Sequence, residues 1–402
     1  MSFNLLANNI EVCKNCDFQM IESALANANR FDTILIKGGT YKVENLVITK
    51  PMVLIGSENA EIISASGDEI ITVIADSVSI SGLTLSGVTT SYLKERSAIR
   101  IKKKKHFAIH HNKILNCFFG IYLEHAKNGS ITDNTIIGNA TTEAESGNGI
   151  HVWYSKRIKI ERSQVEKQRD GIYFEFVDHS TIKNNLSQFN KRYGLHFMFS
   201  NNNDYVENRF LNNGVGVAVM FSKNILMQSN HFSNNWGSSA YGLLLKEIND
   251  SKILNNTFEQ NTIGIFVEGS NRVTYRFNTF KRNGWAIKFS GGREENIFHQ
   301  NNLINNSLDL LVNTKLSSNE FHHNYWSNYS GYDLDHDGIG DIPQYPVKLF
   351  SYILDQSPEA IVLMRSLFVD IINFSERVSP VFTPKEVFDA YPLMEEIHDT
   401  SN

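Results

Sequence analysis

From Gly149 to Gly269, apolar and polar residues alternate in a phrase that keeps returning: Gly149-Ile150-His151-Val152, Gly171-Ile172-Tyr173-Phe174, Gly194-Leu195-His196-Phe197, Gly216-Val217-Ala218-Val219, Gly242-Leu243-Leu244-Leu245 and Gly264-Ile265-Phe266-Val267. The glycines stand 22, 23, 22, 26 and 22 residues apart. Period-two alternation marks a strand with one buried face, and a repeat of this length that cannot bury its face alone marks a solenoid. A second phrase, Asn-x-apolar-x-x-Asn, keeps step from Asn134–Asn139 through Asn185–Asn190, Asn208–Asn213, Asn230–Asn235, Asn256–Asn261, Asn278–Asn283 and Asn301–Asn306 to Asn319–Asn324. Asparagine tolerates left-handed backbone and bonds nearby backbone groups, so it predicts a tight corner, with stacked copies bonded along the coil axis. The fold expected is all-β: a right-handed, single-stranded parallel β-helix.

The chain order supports four segments: 1–30, an N-terminal stretch with a capping helix; 31–330, the coils; 331–345, an aspartate-rich loop; and 346–402, a C-terminal helix and tail. Helical spacing of Met20, Ile21, Ala24, Leu25 and Ala28 places the cap over Asp17 to Asn29, where a solenoid needs an end that is not another sticky repeat. Thr141 to Gly147 lengthens one coil into a loop. Six of the seven prolines lie after residue 342, so the regular coils end before them. Ser357-Pro358-Glu359 reads as a helix start, with a capping serine and proline at the first position. The helix is expected to run to about Val378, apolar on more than one face through Leu367, Phe368, Ile371 and Phe374. Such a surface suits either closing the last coil or docking a partner. The tail from Pro384 to Met394 reads as a strap laid over another element.

A formal net charge of -5 and pI near 6.2 carry no basic footprint for nucleic acid, and the run Lys102 to Lys105 reads as a solvated edge. The start, Met1 to Leu6, lacks the pattern of a secretory signal. It is therefore read either as a cytoplasmic start or, as we favour, a mature periplasmic form in which a start Met stands where the signal was removed. No apolar run reaches the roughly 18 residues of a membrane span. Three cysteines are too few for a disulfide framework. Cys117 reads as a small core residue, and the Cys13-x-x-Cys16 pair as a local structural pair or half a metal or redox site.

If the first and third residues after each glycine face the core, the second and fourth face outward. That outer stripe holds Tyr122 and Glu124, His151 and Trp153, Tyr173 and Glu175, His196 and Met198, Ala218 and Met220, Leu244 and Lys246, Phe266 and Glu268. It is richer in aromatics, Met and His than a solvated face should be. Thioether with imidazole suits copper, so His196, Met198 and Met220, with His151 as a second station, are the candidate copper contacts. A covered face, a protein-binding face through Trp153, Tyr173 and Glu175, and a sugar site stay open beside it. At the end of the coils, Asp333, Asp335, Asp337 and Asp341 with Gly338 have the spacing of a Ca²⁺ loop, although Gln344 stands where a bidentate Glu is expected. A turn held by aspartates bonding their own backbone is the other reading.

The phrases Asn148-Gly149-Ile150-His151-Val152-Trp153, Asp170-Gly171-Ile172-Tyr173-Phe174-Glu175, Arg192-Tyr193-Gly194-Leu195-His196-Phe197-Met198 and Gly216-Val217-Ala218-Val219-Met220 resemble the NosD family. So do Asn324-Tyr325-Trp326, Gly331 to Asp335 and Pro392-Leu393-Met394. The resemblance implies a pectin-lyase-like solenoid in the periplasm that serves denitrification. Its role would be accessory to copper-site maturation of nitrous oxide reductase, beside a NosFY-type ABC transporter and a NosL-type copper chaperone. It implies contact with the membrane only through that transporter, and no catalysis. Two other classes share the architecture. One is a carbohydrate-active lyase, hydrolase or epimerase, for which Glu124 and Glu175 would stand roughly 10 Å apart at the backbone. The other is a docking module without metal.

Overall fold

Three short strands per turn, joined by sharp corners, account for most of the chain in the computed structural model, which describes residues 8–91, 93–237, 239–290, 295–312, 318–363, 366–378 and 387–398. These residues divide after Arg209 into two compact units, each built as a right-handed parallel β-helix.

One coil of the first unit shows the construction. It runs Asn148–Trp153, Lys156–Glu161 and Gln164–Glu166, and the next coil opens with Asp170–Glu175. Each strand pairs in parallel with its counterpart one coil on. Ile150 lies against Ile172 and then Leu195, and Val152 against Phe174 and then Phe197. All six side chains are fully buried. The apolar half of the repeated phrase is thus a column of like upon like, each coil burying the face its neighbour needs covered. In the second unit Val217, Leu243 and Ile265 form a column of the same kind. Beside it, Phe232, Phe258 and Phe280 stack with ring centroids 4.6 and 5.0 Å apart.

The asparagines line the corner, and one detail of the expectation is corrected. The left-handed residue is the one before the asparagine: Asp133 (φ 56°), Asn184 (φ 55°), Asn255 (φ 54°) and His323 (φ 55°). The asparagine that follows holds the bend. Asn185 Nδ2 donates across it to the Lys183 carbonyl at 3.0 Å and onward to Asn208 Oδ1 at 3.0 Å. Where Ser163 replaces asparagine, its hydroxyl accepts the Asn134 amide.

At the N-terminal end the cap is a shorter helix than expected, Ile21–Asn27, with Ile21, Ala24 and Ala28 buried. At the other end the helix expected from Pro358 to Val378 is two pieces, a 3-10 turn Pro358–Leu363 and a helix Leu367–Val378, and a further helix, Leu349–Gln356, precedes them. The break before Pro358 falls at Ser357, whose ψ of 81° is not helical. Proline disfavours the helical conformation in the residue before it, so Pro358 separates two helices here and starts only a tight turn. The first helix was missed because Phe350 and Ile353 are better strand formers than helix formers. Leu308, Phe350, Leu354 and Val369 form the core under these helices, while Leu367, Phe368, Ile371 and Phe374 stay exposed on the opposite side. The strap is seen over 387–394, where Asp389 and Leu393 bridge to Phe321 and Tyr325. Met1 to Leu6, Met364 and Pro384 lie outside the described residues.

Candidate functional site

The outer stripe of the first unit lines a groove of about 710 Å³. Side chains in register on a parallel sheet stand in contact. Tyr122 and His151 have ring centroids 4.5 Å apart, His151 and Tyr173 4.7 Å, and Tyr173 and His196 5.0 Å. Trp153, Glu175 and Met198, two residues further along their strands, line the same groove and are half-buried. The stripe was expected to be exposed, and at the histidines it is not: His151 and His196 are 6% and 7% accessible. Rings pack round each of them, Phe119, Tyr122 and Tyr173 about His151 and Tyr173 and Tyr193 about His196, and arginines at the starts of the strands line the groove along one edge.

That edge is an ion-pair network. Asp170, fully buried, takes both hydrogen bonds of the Arg192 fork at 2.9 and 2.5 Å, and Arg169 Nε stands 3.8 Å away. Arg192 lies over the Tyr193 ring, which in turn packs 4.6 Å from His196. Arg169 also donates to Asn148 Oδ1 at 3.1 Å, which turns the Asn148 amide nitrogen toward His151 Nδ1 at 3.0 Å. His151 Nδ1 is therefore an acceptor and its proton sits on Nε2, which leaves no free lone pair on that ring. On the far side Arg100 pairs with Glu69, approaches Glu124 at 3.6 Å and lies over Tyr122.

His196 differs from His151. Both of its ring nitrogens are buried without a hydrogen-bond partner. Burial first, then the Arg192 and Arg169 guanidiniums, hold its pKa down to about 4, with Asp170 pulling the other way. Burial, followed by Arg169 and Arg100, holds His151 down to about 3. Both imidazoles are neutral at pH 7, and Tyr173 separates them, so they do not form one ligand pair. Burial also raises the Tyr122 and Tyr173 phenols, which stay protonated.

The other expected residues fall elsewhere. Met220 ends the strand Val215–Met220 of the second unit, half-buried and in register with Lys246. Cys13 and Cys16 form a disulfide, so the metal-ligand reading of that pair gives way: neither sulfur is a free thiolate in this form. Asp333, Asp335 and Asp337 gather carboxylate oxygens within 4.8 Å of one another. Asp341 is not in that group and accepts instead from the Leu334 amide. Asp333 also accepts backbone amides from His336 and Gly338, so the loop has both features that the sequence left open. Asp337 beside it raises the Asp335 pKa, the mark of like charges pressed together.

Sequence reasoning gave no role to Asn148, Asp170, Arg169 or Arg192; Arg169 and Arg192 line the groove, and the buried Asn148 and Asp170 hold them there. A signal existed: Asn148 and Asp170 precede their glycines in one stacked slot, paired in register, where a core column tolerates polar groups only if they are bonded. It also missed His299, His322 and His323, whose ring nitrogens cluster within 4.8 Å. Among the described residues no helix is long and apolar enough to cross a membrane.

Comparison with known proteins bears on both fold and site. Residues 7–165 match the right-handed beta helix region family, and residues 138–331 match NosD, described as a periplasmic copper-binding protein. A "Probable ABC transporter binding protein NosD" of Stutzerimonas stutzeri is 30% identical over 112 residues, covering 27% of this chain and 26% of that protein. The Pseudomonas aeruginosa protein of the same description is 34% identical over 71 residues, 18% of this chain and 17% of its own. The similarity thus spans about a quarter or less of these relatives' length. Among solved structures, a GH87 alpha-1,3-glucanase catalytic domain superposes with TM-score 0.58 at 10% identity, covering 81% of this chain and 70% of that one. A Yersinia enterocolitica family 28 exopolygalacturonase gives 0.54 at 9%, covering 79% and 78%. At such identities the likeness is one of fold alone. The NosD match covers just under half of the chain, including the coils that carry His151, His196 and Met198, and the relatives found by sequence bear the same description, so this part of the chain is similar to the NosD family.

Proposed function

We propose that this chain is a periplasmic accessory of a NosFY-type ABC transporter, which passes copper toward nitrous oxide reductase after receiving it from a NosL-type chaperone. The observation that carries this reading is His196. A buried neutral imidazole with neither nitrogen bonded is a costly arrangement. It stands on a groove wall two residues from the Met198 thioether, on the same face of one strand. Imidazole with thioether suits copper, and a site of few soft ligands releases its cargo readily. His151, already bonded to Asn148, orients the stack, and Met220, in the second unit, is a separate candidate contact. The family description as copper-binding supports the same cargo. We read the exposed stripe Leu367, Phe368, Ile371 and Phe374 as the transporter-facing surface, and Trp153, Tyr173 and Glu175 as groove-side partner contacts.

The test is the triple variant His196→Ala, Met198→Ala, Met220→Ala in the full chain, with copper delivery and transporter co-purification measured separately. Delivery should fall at least tenfold while co-purification persists. Delivery at the unaltered level would overturn the copper role of this groove. Serine substitutions at Leu367, Phe368, Ile371 and Phe374 should have the opposite profile.

A second reading rests on the groove's lining. Arg100, Arg169, Arg192, Glu124 and Glu175 beside stacked rings are groups that hold acidic sugars, and breakdown of a uronic-acid polymer by the purified chain would favour it.

A further inference from the structure

The second unit carries a cluster of a different kind at its last corner. His299–His322 is a register pair on adjacent coils, in the strands Ile297–His299 and Glu320–His322, with ring centroids 4.4 Å apart. His323 follows at the left-handed position, where the chain turns and throws its side chain back toward its neighbours. His322 Nδ1 and His323 Nδ1 then stand 3.1 Å apart. One ring nitrogen from each of the three histidines lies within 4.8 Å of the other two. His299 Nδ1 is buried with no hydrogen-bond partner.

Two facing Nδ1 atoms cannot both present lone pairs at this distance without a proton or a cation between them. Two imidazole nitrogens bound to one ion at about 2.0–2.1 Å are separated by about 2.9 Å in a square-planar site and about 3.4 Å in a tetrahedral one. The observed spacing falls between these values. The corner is also held firmly. Asn324 Nδ2 donates to the His322 carbonyl, Asp389 of the strap accepts the His323 amide at 3.1 Å, and the Tyr391 ring stacks on His323. Arg276, the cation on the preceding coil, is turned to Gln300.

We propose that His299, His322 and His323 form a three-nitrogen site for a borderline divalent ion, Cu(II) or Zn(II), with the C-terminal strap as its wall. The first unit supplies an internal control. His110 and His111 repeat the same corner, again with Nδ1 atoms 3.1 Å apart and an asparagine following. Among the described residues no third imidazole joins them, and the carboxylate nearby, Asp133, is engaged by the Arg162 fork at 2.8 and 2.9 Å. A pair without a third ligand binds much more weakly.

The experiment titrates the metal-free full chain with Zn(II) alone by calorimetry and records Cu(II) alone by electron paramagnetic resonance. One Zn(II) site is expected, with Cu(II) coupled to three nitrogens. His299→Gln should weaken Zn(II) binding at least tenfold and reduce the coupling to two nitrogens, and His323→Gln should do the same. His110→Gln with His111→Gln should leave the tight site unchanged, as should His196→Ala with Met198→Ala, so the outcome is independent of the groove. Glutamine keeps a hydrogen-bonding group at each position, and circular dichroism establishes that the variants are folded. Unchanged affinity in folded His299→Gln and His323→Gln, or loss of the site in the His110 and His111 variant instead, would overturn the assignment.

Discussion

Acidification should weaken this protein through the groove histidines, and the size of the effect follows from their burial. An unfolded histidine titrates near 6.5, whereas His151 and His196 are held to about 3 and about 4 in the folded chain. At pH 5 the unfolded state therefore carries a proton on each ring that the folded state does not. Stability rises with pH wherever the unfolded state binds more protons, so it falls as pH drops below 6.5 and goes on falling until the folded pKa values are reached. Each ring contributes about 1.36 kcal/mol per pH unit over the 1.5 units from 6.5 to 5, or about 2 kcal/mol, giving on the order of 4 kcal/mol for the pair. The assay is urea unfolding of the metal-free chain at pH 7 and pH 5, beside the variant His151→Gln, His196→Gln. Glutamine retains an acceptor for the Asn148 amide but has no proton to gain. The wild type should lose about 4 kcal/mol more than the variant between the two pH values. Equal losses would show that the rings titrate freely, and the buried neutral groove would have to be abandoned.

Two other perturbations test the frame and the loop. Asn256 Oδ1 accepts from the Asn230 amide and Nδ2, and its own Nδ2 donates to the Met227 carbonyl and Asn278 Oδ1; Asn256→Ala strands a buried backbone amide and should cost about 3 kcal/mol, read from the urea midpoint. If Asp333, Asp335 and Asp337 hold Ca²⁺, the ion at a hundred times its dissociation constant should stabilise the chain by about 2.7 kcal/mol; chelation should then lower the thermal midpoint, and Asp335→Asn should remove the response.

What could be read from the sequence was what repeats locally. Ile150, Val152, Leu195 and Phe197 announce their face because alternation is a property of the strand itself, and the 22- and 23-residue spacing carries it from coil to coil. The burial of His196 could not be read in this way. It depends on Tyr173 from the preceding coil, on Tyr193 at the start of its own strand and on Arg192 fastened to Asp170, a set of partners visible only when coils are superposed. The histidine corner was legible in principle, since His299 and His322 are 23 residues apart. It lies on a different sheet from the glycine phrase, however, and drops out of any reading organised around the glycines.

The end of the asparagine ladder shows where local inference stops. Each rung passes donors forward: Asn278 sends its amide N–H and Nδ2 to Asn301 Oδ1, and Asn301 does the same to Asn324 Oδ1. Asn324 has no following asparagine, yet its backbone N–H and Nδ2 are buried and must be accepted. The right terminator is a group that accepts and does not donate, because nothing beyond it waits for a proton. A carboxylate meets that condition and an amide does not. Asp389 fills the place: Oδ2 takes Asn324 N, Asn324 Nδ2 and Trp326 Nε1, while Oδ1 takes the amides of His323 and Tyr391. The need for such a residue follows from the repeat. Its position, 65 residues along the chain from Asn324, does not, because it is set by where the strap returns and not by any period in the coils.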